Sequence, residues 1–473
     1  MLPGMAAGVA AGTSLLKPDW APVQLPALAL LAWTLARADG LVARLRPGFW
    51  FGASMAGVAL SQIGIPGAAV GVLFAALTAY WMALGAGLAP MLRRGDKLGV
   101  LGAAGLFTLG EWAQTLLLPL FGSAQRLAGV WIEYDFMLPL ARAGGTLAIS
   151  FVLTALAFLA AVTASSHTLR ASLRRPATAT AMLLTITLGC GMLALTGHRI
   201  ARGGTGAATM RIAVCASKNS TGAFMSPDHF LKKHLPPVER AAAQGARLVI
   251  TPEMGLFLEA QERDAALERL ASEARRLNVA WALGFAQSLP SLNRAVLLNA
   301  GKPVGDLYTK THRVPFLEQY ARDGDGAAVT GLVDGVRVGL MICQDDNFED
   351  VARNLGLAGA QIVAVPTFDW PGVEHAHLHS ARNRPREHGF ALARAALGGV
   401  SAILDGSGRP VATRNHLLDG DGFALADVPV GDGAPTPFAR FGNAPVLALA
   451  AALASAAAVR RRRLPAAETR TIR

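Results

Sequence analysis

VRVGLMIC, residues 336–343, and QIVAVPT, residues 361–367, are nearly continuous apolar runs of strand length. A strand packed on both faces has no polar side to show, so such runs mark the central strands of a layered sheet. The flanking sequence repeats the pattern. MRIAVCAS (210–217), ARLVITPE (246–253), VAWALGFAQ (279–287), RAVLLNA (294–300) and KPVGDLYTK (302–310) read as further strands. Helical stretches fall between them at 228–244 and, amphipathic and heavily charged, at 259–277. The sequence predicts a helix over 376–395, then a hairpin of GVSAILDG and RPVAT. Strands alternating with helices give an α/β layered domain with mixed sheets over 210–440.

Outside that region the chain changes character. Of its 473 residues, 52% are hydrophobic and only 16% charged, where soluble domains average about 25% charged. The mean hydropathy is +0.37. Such a chain is neither globally disordered nor wholly soluble. Three widely spaced cysteines exclude a disulfide-stapled fold. Apolar segments near 3–16, 21–37, 48–64, 67–90, 98–120, 140–166 and 177–197 give a helical membrane domain of about seven spans over 1–200. The first segment lacks the basic flank of a signal peptide, so no cleavage is expected. A final span lies in 441–460, before a basic tail over 461–473.

The net charge of +12 is not spread evenly. Residues 1–209 carry net +8, residues 210–459 net −1 and the tail net +5. The polar domain is neutral and the excess borders apolar segments, which speaks against nucleic acid and for membrane orientation. One set of alternate loops holds Arg37, Arg44, Arg46, Arg93, Arg94, Lys97, Arg170, Arg174, Arg175 and Arg460 to Arg463. The other holds Lys17, Arg126, Arg142, Arg199 and Arg202. The richer set is cytoplasmic by the positive-inside rule, which puts 210–440 on the far side, the periplasm of a Gram-negative cell.

Three reactive side chains end predicted strands: Glu253 after ARLVITPE, Lys310 after DLYTK, Cys343 after VRVGLMIC. Loops at strand ends are where α/β folds place chemistry. Alone each has a bland explanation, such as a helix start, a solvated lysine or an inert core cysteine. In this order, within VITPE, YTKTHRVPFLE and GLMICQDD, they resemble the Glu-Lys-Cys triad of the nitrilase or carbon–nitrogen hydrolase superfamily. The stretch ARNRPREHGFALARAALGGVSAILDGSGRPV is similar to the family segment on the C-terminal side of the triad. The resemblance covers about 210–430 and implies an α-β-β-α sandwich.

GFWFGASMAGVALSQIG (48–64) and PLARAGGTLAISFVLTALAFLAA (139–161) resemble membrane signatures of the apolipoprotein N-acyltransferase family. That resemblance implies a multi-pass inner-membrane enzyme with a periplasmic nitrilase-like domain. It implies a glycerophospholipid acyl donor, a diacylated apolipoprotein as amine acceptor, a lipid bilayer as setting, a monomer, and neither cofactor nor metal. Cys343 would carry the acyl group as a thioester, Glu253 would move protons and Lys310 would hold the oxyanion. With a base and a cation converging on it, Cys343 is expected to be a thiolate at neutral pH.

By the same resemblance Glu318 orients Lys310 or stabilises the tetrahedral state, and Glu387 pairs with a neighbour such as Arg384. Gln344 and Asp345 stand where the family has an aromatic and Glu, and Leu397-Gly398 where it often has Asn before Gly. Phe316, Phe368 and Trp370 are expected to dip into the outer leaflet. In Glu374-His375-Ala-His377-Leu-His379 the alternate histidines would share a face on a strand and the group mimics a metal cluster, but the family needs none there. Glu111, inside a span, pairs with Arg126 or lines the lipid route. Cys190 and Cys215 read as inert. Two other functions compete: a membrane-anchored amidase or acyltransferase with another amine acceptor, and an inactive lipoprotein-binding scaffold.

Overall fold

A computed structural model describes residues 1–61, 67–118, 121–165, 192, 195–197, 208–216, 225–299, 305–315 and 317–463. Most of the expected span over 177–197 lies outside these residues, as do Cys190, Phe316 and the end of the basic tail.

The first third is helical. The helices are α1 (Leu2–Leu16), α2 (Gln24–Ala36), α3 (Leu41–Leu60), α4 (Gly67–Leu92), α5 (Lys97–Leu117) and α6 (Leu138–Ser165). Asp96 caps α5 by accepting from the Gly99 amide at 2.6 Å, which satisfies one of the orphan donors of the first turn. Gly144 and Gly145 break the helical course of α6 near its start. Among the described residues two helical stretches, Gly67–Leu92 and Asp135–Ser165, are long and apolar enough to cross a membrane, while Leu2–Leu16 and Ala444–Val459 are apolar but shorter.

The α/β region is built on two sheets packed face to face. In one, β1 (Thr209–Ala216), β2 (Leu248–Ile250) and β4 (Ala280–Gln287) run parallel, and β5 (Leu292–Leu298) turns back antiparallel towards the short β6 (Tyr308–Thr309). In the other, β8 (Val336–Leu340), β9 (Ile362–Phe368) and β10 (Ala391–Leu397) are parallel neighbours. The strand β11 (Val400–Leu404) pairs antiparallel with β10. Period-2 alternation divides the first sheet. Ile212, Val214, Leu248 and Ile250 face Leu340, Ile362 and Leu392 across the inter-sheet core. Ala213, Val249, Trp281 and Leu283 face the helices α7 (Pro227–Ala243) and α8 (Arg263–Leu277). Each Leu or Ile buried there contributes about 1.5–3 kcal/mol.

The predicted helix over 376–395 needs correction. Two short helices, α10 (Glu374–Ala381) and α11 (Asn383–His388), stop at Gly389, which takes φ +82 as a left-handed cap. ALARAAL then continues as β10, every residue buried. Its Ala, Leu and Arg favour a helix locally, but a slot between β9 and β11 overrides that preference. The α9 helix (Glu349–Leu357) precedes β9, and the apolar α14 (Ala444–Arg463) follows α13 (Pro437–Phe441).

Candidate active site

Three strand ends bring their side chains to one buried place. Lys310, directly after β6, has its Nζ 2.8 Å from Glu253 Oε1 and 2.8 Å from Glu318 Oε2. All three side chains are buried. Asn293 on β5 donates through Nδ2 to Glu253 Oε1 at 2.6 Å and to Glu318 Oε1 at 2.9 Å. Glu318 Oε2 also accepts from the Val314 amide at 2.6 Å. One cation thus sits between two carboxylates, and the amide of Asn293 locks both of them. Glu253 Oε2 is buried and has no hydrogen-bond partner, so one oxygen of the base is left for a reacting proton.

Cys343 opens a 3₁₀ turn, Cys343–Asn347, separated from the end of β8 by two residues. Its φ of +45 lies in the left-handed region, rare for a residue with a Cβ. Such strain costs on the order of 1–3 kcal/mol and persists only where the surroundings enforce it. Its Sγ donates to the Phe368 carbonyl at 3.4 Å. Burial, with Glu253 next in weight, pushes the thiol well above its ordinary value, and Lys310 opposes this only in part. Burial thus works against the thiolate expected at neutral pH. Burial also raises Glu253, despite Lys310 beside it. Burial works against the charge on Lys310, but Glu253 and Glu318 beside it hold its ammonium well above the ordinary value. It stays protonated through the working range.

Asp345 ties the cysteine turn to the lysine loop. It accepts from the Ile342 amide at 3.0 Å, the Thr311 amide at 3.1 Å, the His312 amide at 2.8 Å and the Tyr308 hydroxyl at 2.8 Å. Burial raises its carboxyl to about 6. Gln344 is buried and accepts from Asn347 Nδ2 at 3.0 Å.

Behind the turn lies a charged group that the sequence did not announce. His377 Nε2 is 2.8 Å from Asp346 Oδ1 and its Nδ1 is 2.7 Å from Asp369 Oδ1. Arg394, buried on β10, meets Asp369 at 2.9 Å and Asp346 at 3.3 Å. Burial opposes the charge on His377, yet Asp346 and Asp369 push it up to about 9. Residues 374–381 are helical rather than extended, so the histidines do not share a strand face. Among the described residues no group of three or more His, Cys, Asp or Glu side chains is arranged to hold a metal ion.

The raised histidine gives a testable sign. Its folded value lies above the ordinary 6.5, so its contribution to stability is complete below 6.5 and fades as pH rises through about 9. His377→Gln is expected to lower the thermal unfolding midpoint below pH 6.5 by several degrees. The gap from the parent protein should narrow above pH 9. A gap that widens with rising pH would contradict the assignment of charge.

Other expected residues fall elsewhere. Trp370 is half-buried and Phe368 exposed, both just beyond the cysteine turn. Glu387 lies away from the triad and pairs with Arg384 at 3.0 Å. Glu111 does not bond to Arg126, which corrects that pairing. It accepts from the Leu127 amide at 2.8 Å and from the Ser150 hydroxyl. Arg126 instead reaches Glu349 and Thr146. Sequence reasoning misses Asn293, because RAVLLNA starts one residue after it, and Arg394, because its segment reads as helix.

The family profile described as carbon-nitrogen hydrolase matches residues 211–437. An apolipoprotein N-acyltransferase of Bradyrhizobium diazoefficiens is 26% identical over 93% of this chain and 91% of its own length. One from Nitrosomonas europaea is 28% identical, over 47% of this chain and about half, 49%, of the relative. Among solved structures, an amidase from Nesterenkonia sp. AN1 is 25% identical, covers 46% of this chain and 93% of its own, and superposes with a TM-score of 0.42. Residues 211–437 are therefore similar to carbon-nitrogen hydrolases, in a chain that is similar along 93% of its length to an apolipoprotein N-acyltransferase.

Proposed function

We propose that the protein moves a fatty acyl chain from a glycerophospholipid to the α-amine of a diacylglyceryl-cysteine at a lipoprotein N-terminus. The observation that carries this is Lys310 held between Glu253 and Glu318, with Cys343 buried on the turn after β8. The similarity to apolipoprotein N-acyltransferases supports the choice of substrates. The apolar helices before and after the domain support a lipid setting.

The chemistry runs in two halves. Sγ of Cys343 attacks the ester carbonyl while its proton passes to the free oxygen of Glu253. The tetrahedral oxyanion is stabilised by the Lys310 ammonium, worth more in a buried site than in water. Collapse breaks the carbon–oxygen ester bond, and Glu253 returns the proton to the departing lysophospholipid alkoxide. The acceptor amine then attacks the thioester, Glu253 takes its proton, and the amide and the Cys343 thiol are released.

We read Glu318 and Asn293 as holding Lys310 and Glu253 in register, and Asp345 as fixing the distance between lysine loop and cysteine turn. Phe368 and Trp370, beside the turn, suit contact with an acyl chain. The basic loops favour a multi-pass arrangement with the domain on the periplasmic side of an inner membrane. The test is mass spectrometry of a lipoprotein N-terminus from cells with and without this gene. Loss of only the amide-linked acyl chain is expected. An unchanged N-terminus, or loss of acyl groups from another amine, would overturn the acceptor.

A further inference from the structure

We propose that the loop over 121–126, which leaves the membrane-side helix α5, is a positioning element for the Cys343 nucleophile. The inference rests on reading Cys343 as the attacking group and goes beyond it, by making the helical part of the chain a working piece of the site rather than an anchor.

The cysteine turn is pinned at both ends. On the side of the α/β domain, Asp345 holds Ile342 and the lysine loop. On the other side the contacts come from the helical part and fall on three consecutive residues. The Ser123 hydroxyl donates to the Asn347 carbonyl at 2.9 Å. The same hydroxyl accepts from Arg384 at 2.9 Å, and Arg384 is fully buried. Gly122 lies so close to the turn that a Cβ added there would sit 2.5 Å from the Asn347 carbonyl oxygen and 3.0 Å from the Phe348 ring. Glu349 is paired with Arg126 of the same loop and accepts from Asn443 at 2.6 Å.

This arrangement answers why Cys343 can hold a left-handed φ. A single 3₁₀ turn separates Cys343 from Asn347, so a shift imposed on the Asn347 carbonyl passes through a short hydrogen-bonded arc to the Cys343 backbone. The loop is in turn fixed from inside the helical part, where Glu111 on α5 accepts the Leu127 amide and Gln24 on α2 donates to the Leu127 carbonyl at 2.8 Å. The path from α5 to the thiol is therefore continuous through Leu127, Ser123 and Asn347.

The experiment uses the full chain in detergent, with Gly122→Ala, Ser123→Ala and, as a control in the same interface but away from the turn, Arg409→Ala, whose partner is Asp135. Two quantities are read: kcat and KM for acyl transfer, and the pH profile of Cys343 alkylation by iodoacetamide, followed by peptide mass. Gly122→Ala puts a Cβ 2.5 Å from the carbonyl oxygen at a φ of +48, which forces loop and turn apart, so kcat is expected to fall about 10²-fold with KM unchanged. Ser123→Ala, a milder change that leaves the space intact, is expected to lower kcat about 10-fold. Both should displace the pH midpoint of alkylation, because the sulfur moves relative to Glu253 and Lys310, while Arg409→Ala leaves it in place. If Gly122→Ala does not fold, Ser123→Ala decides alone. Unchanged alkylation profile and kcat in a folded Ser123→Ala protein would overturn the proposal. Failure of the underlying reading looks different: Cys343→Ala would then keep full transfer, whatever the loop variants do.

Discussion

Replacing Cys343 with Ala is expected to abolish acyl transfer while leaving the protein folded. Alanine keeps the Cβ and therefore the same left-handed backbone strain, and the loss of one buried sulfur is the only packing change, so the protein should fold with an unfolding temperature close to the parent's. No neighbouring group can take over. Cys215, the other described cysteine, is fully buried in β1 among residues that pack on α7 and α8, and burial pushes its thiol up to about 12. Glu253 and Lys310 would remain, but as a base and a cation with nothing to activate. Transfer at the background level of the blank is the expected reading in a vesicle assay with purified variant. Residual turnover above that level would mean that the lipid ester is attacked directly by the acceptor amine.

The second large effect belongs to Lys310. Its ammonium is the cation shared by Glu253 and Glu318, and both carboxylates are buried. Lys310→Met keeps much of the volume but leaves two carboxylates facing each other through the Asn293 amide. Breaking a buried pair in this way costs about 3–5 kcal/mol, because an uncompensated charge stays behind. One carboxylate is expected to take a proton in response, which removes the base as well as the oxyanion partner. Loss of an oxyanion donor alone lowers kcat by about 10²–10³, so the combined loss should exceed that range. Glu253→Gln separates the two contributions: the cation stays and only the base goes, for which about 10²–10⁴ is typical. Lys310→Met is therefore expected to be the slower of the two and to unfold at a lower temperature. Comparing the variants by stopped acyl transfer and by thermal unfolding checks both orderings. A Lys310→Met protein as active as Glu253→Gln would show that the lysine does not serve the oxyanion.

The outline of this site can be read in the sequence because its three reactive residues end apolar strands. In VITPE, DLYTK and GLMIC the apolar run stops at a charged or nucleophilic residue, and such a residue stands out. Their surroundings are harder to read, for two physical reasons. Asn293 sits one residue inside the start of β5, and a polar residue at a strand boundary looks like a turn. Arg394 lies in a strand whose own residues prefer a helix; only the neighbouring β9 and β11 make it extended. With β10 misread, nothing links Arg394 to Asp346, Asp369 and His377, which come from three other segments. Charge state is equally a matter of three dimensions. The pattern of Glu, Lys and Cys suggests a thiolate, whereas full burial, with Glu253 and Asp369 adding to it, pushes the thiol up. The contacts of Ser123 and Arg126 with 347–349 span more than two hundred positions and leave no local signal.

The central claim is that acyl transfer passes through a thioester on Cys343. The most direct measurement incubates the purified full-length protein with phospholipid alone, digests it and locates the acyl group by peptide mass, before and after a chase with a diacylated lipopeptide. The account predicts a hydroxylamine-sensitive acyl adduct on the peptide carrying Cys343, absent from Cys215 and Cys190, that disappears in the chase as an amide-linked chain gains the acyl group. An acyl group on another residue, or an adduct lost only to water while the lipopeptide amine stays unmodified, would contradict it.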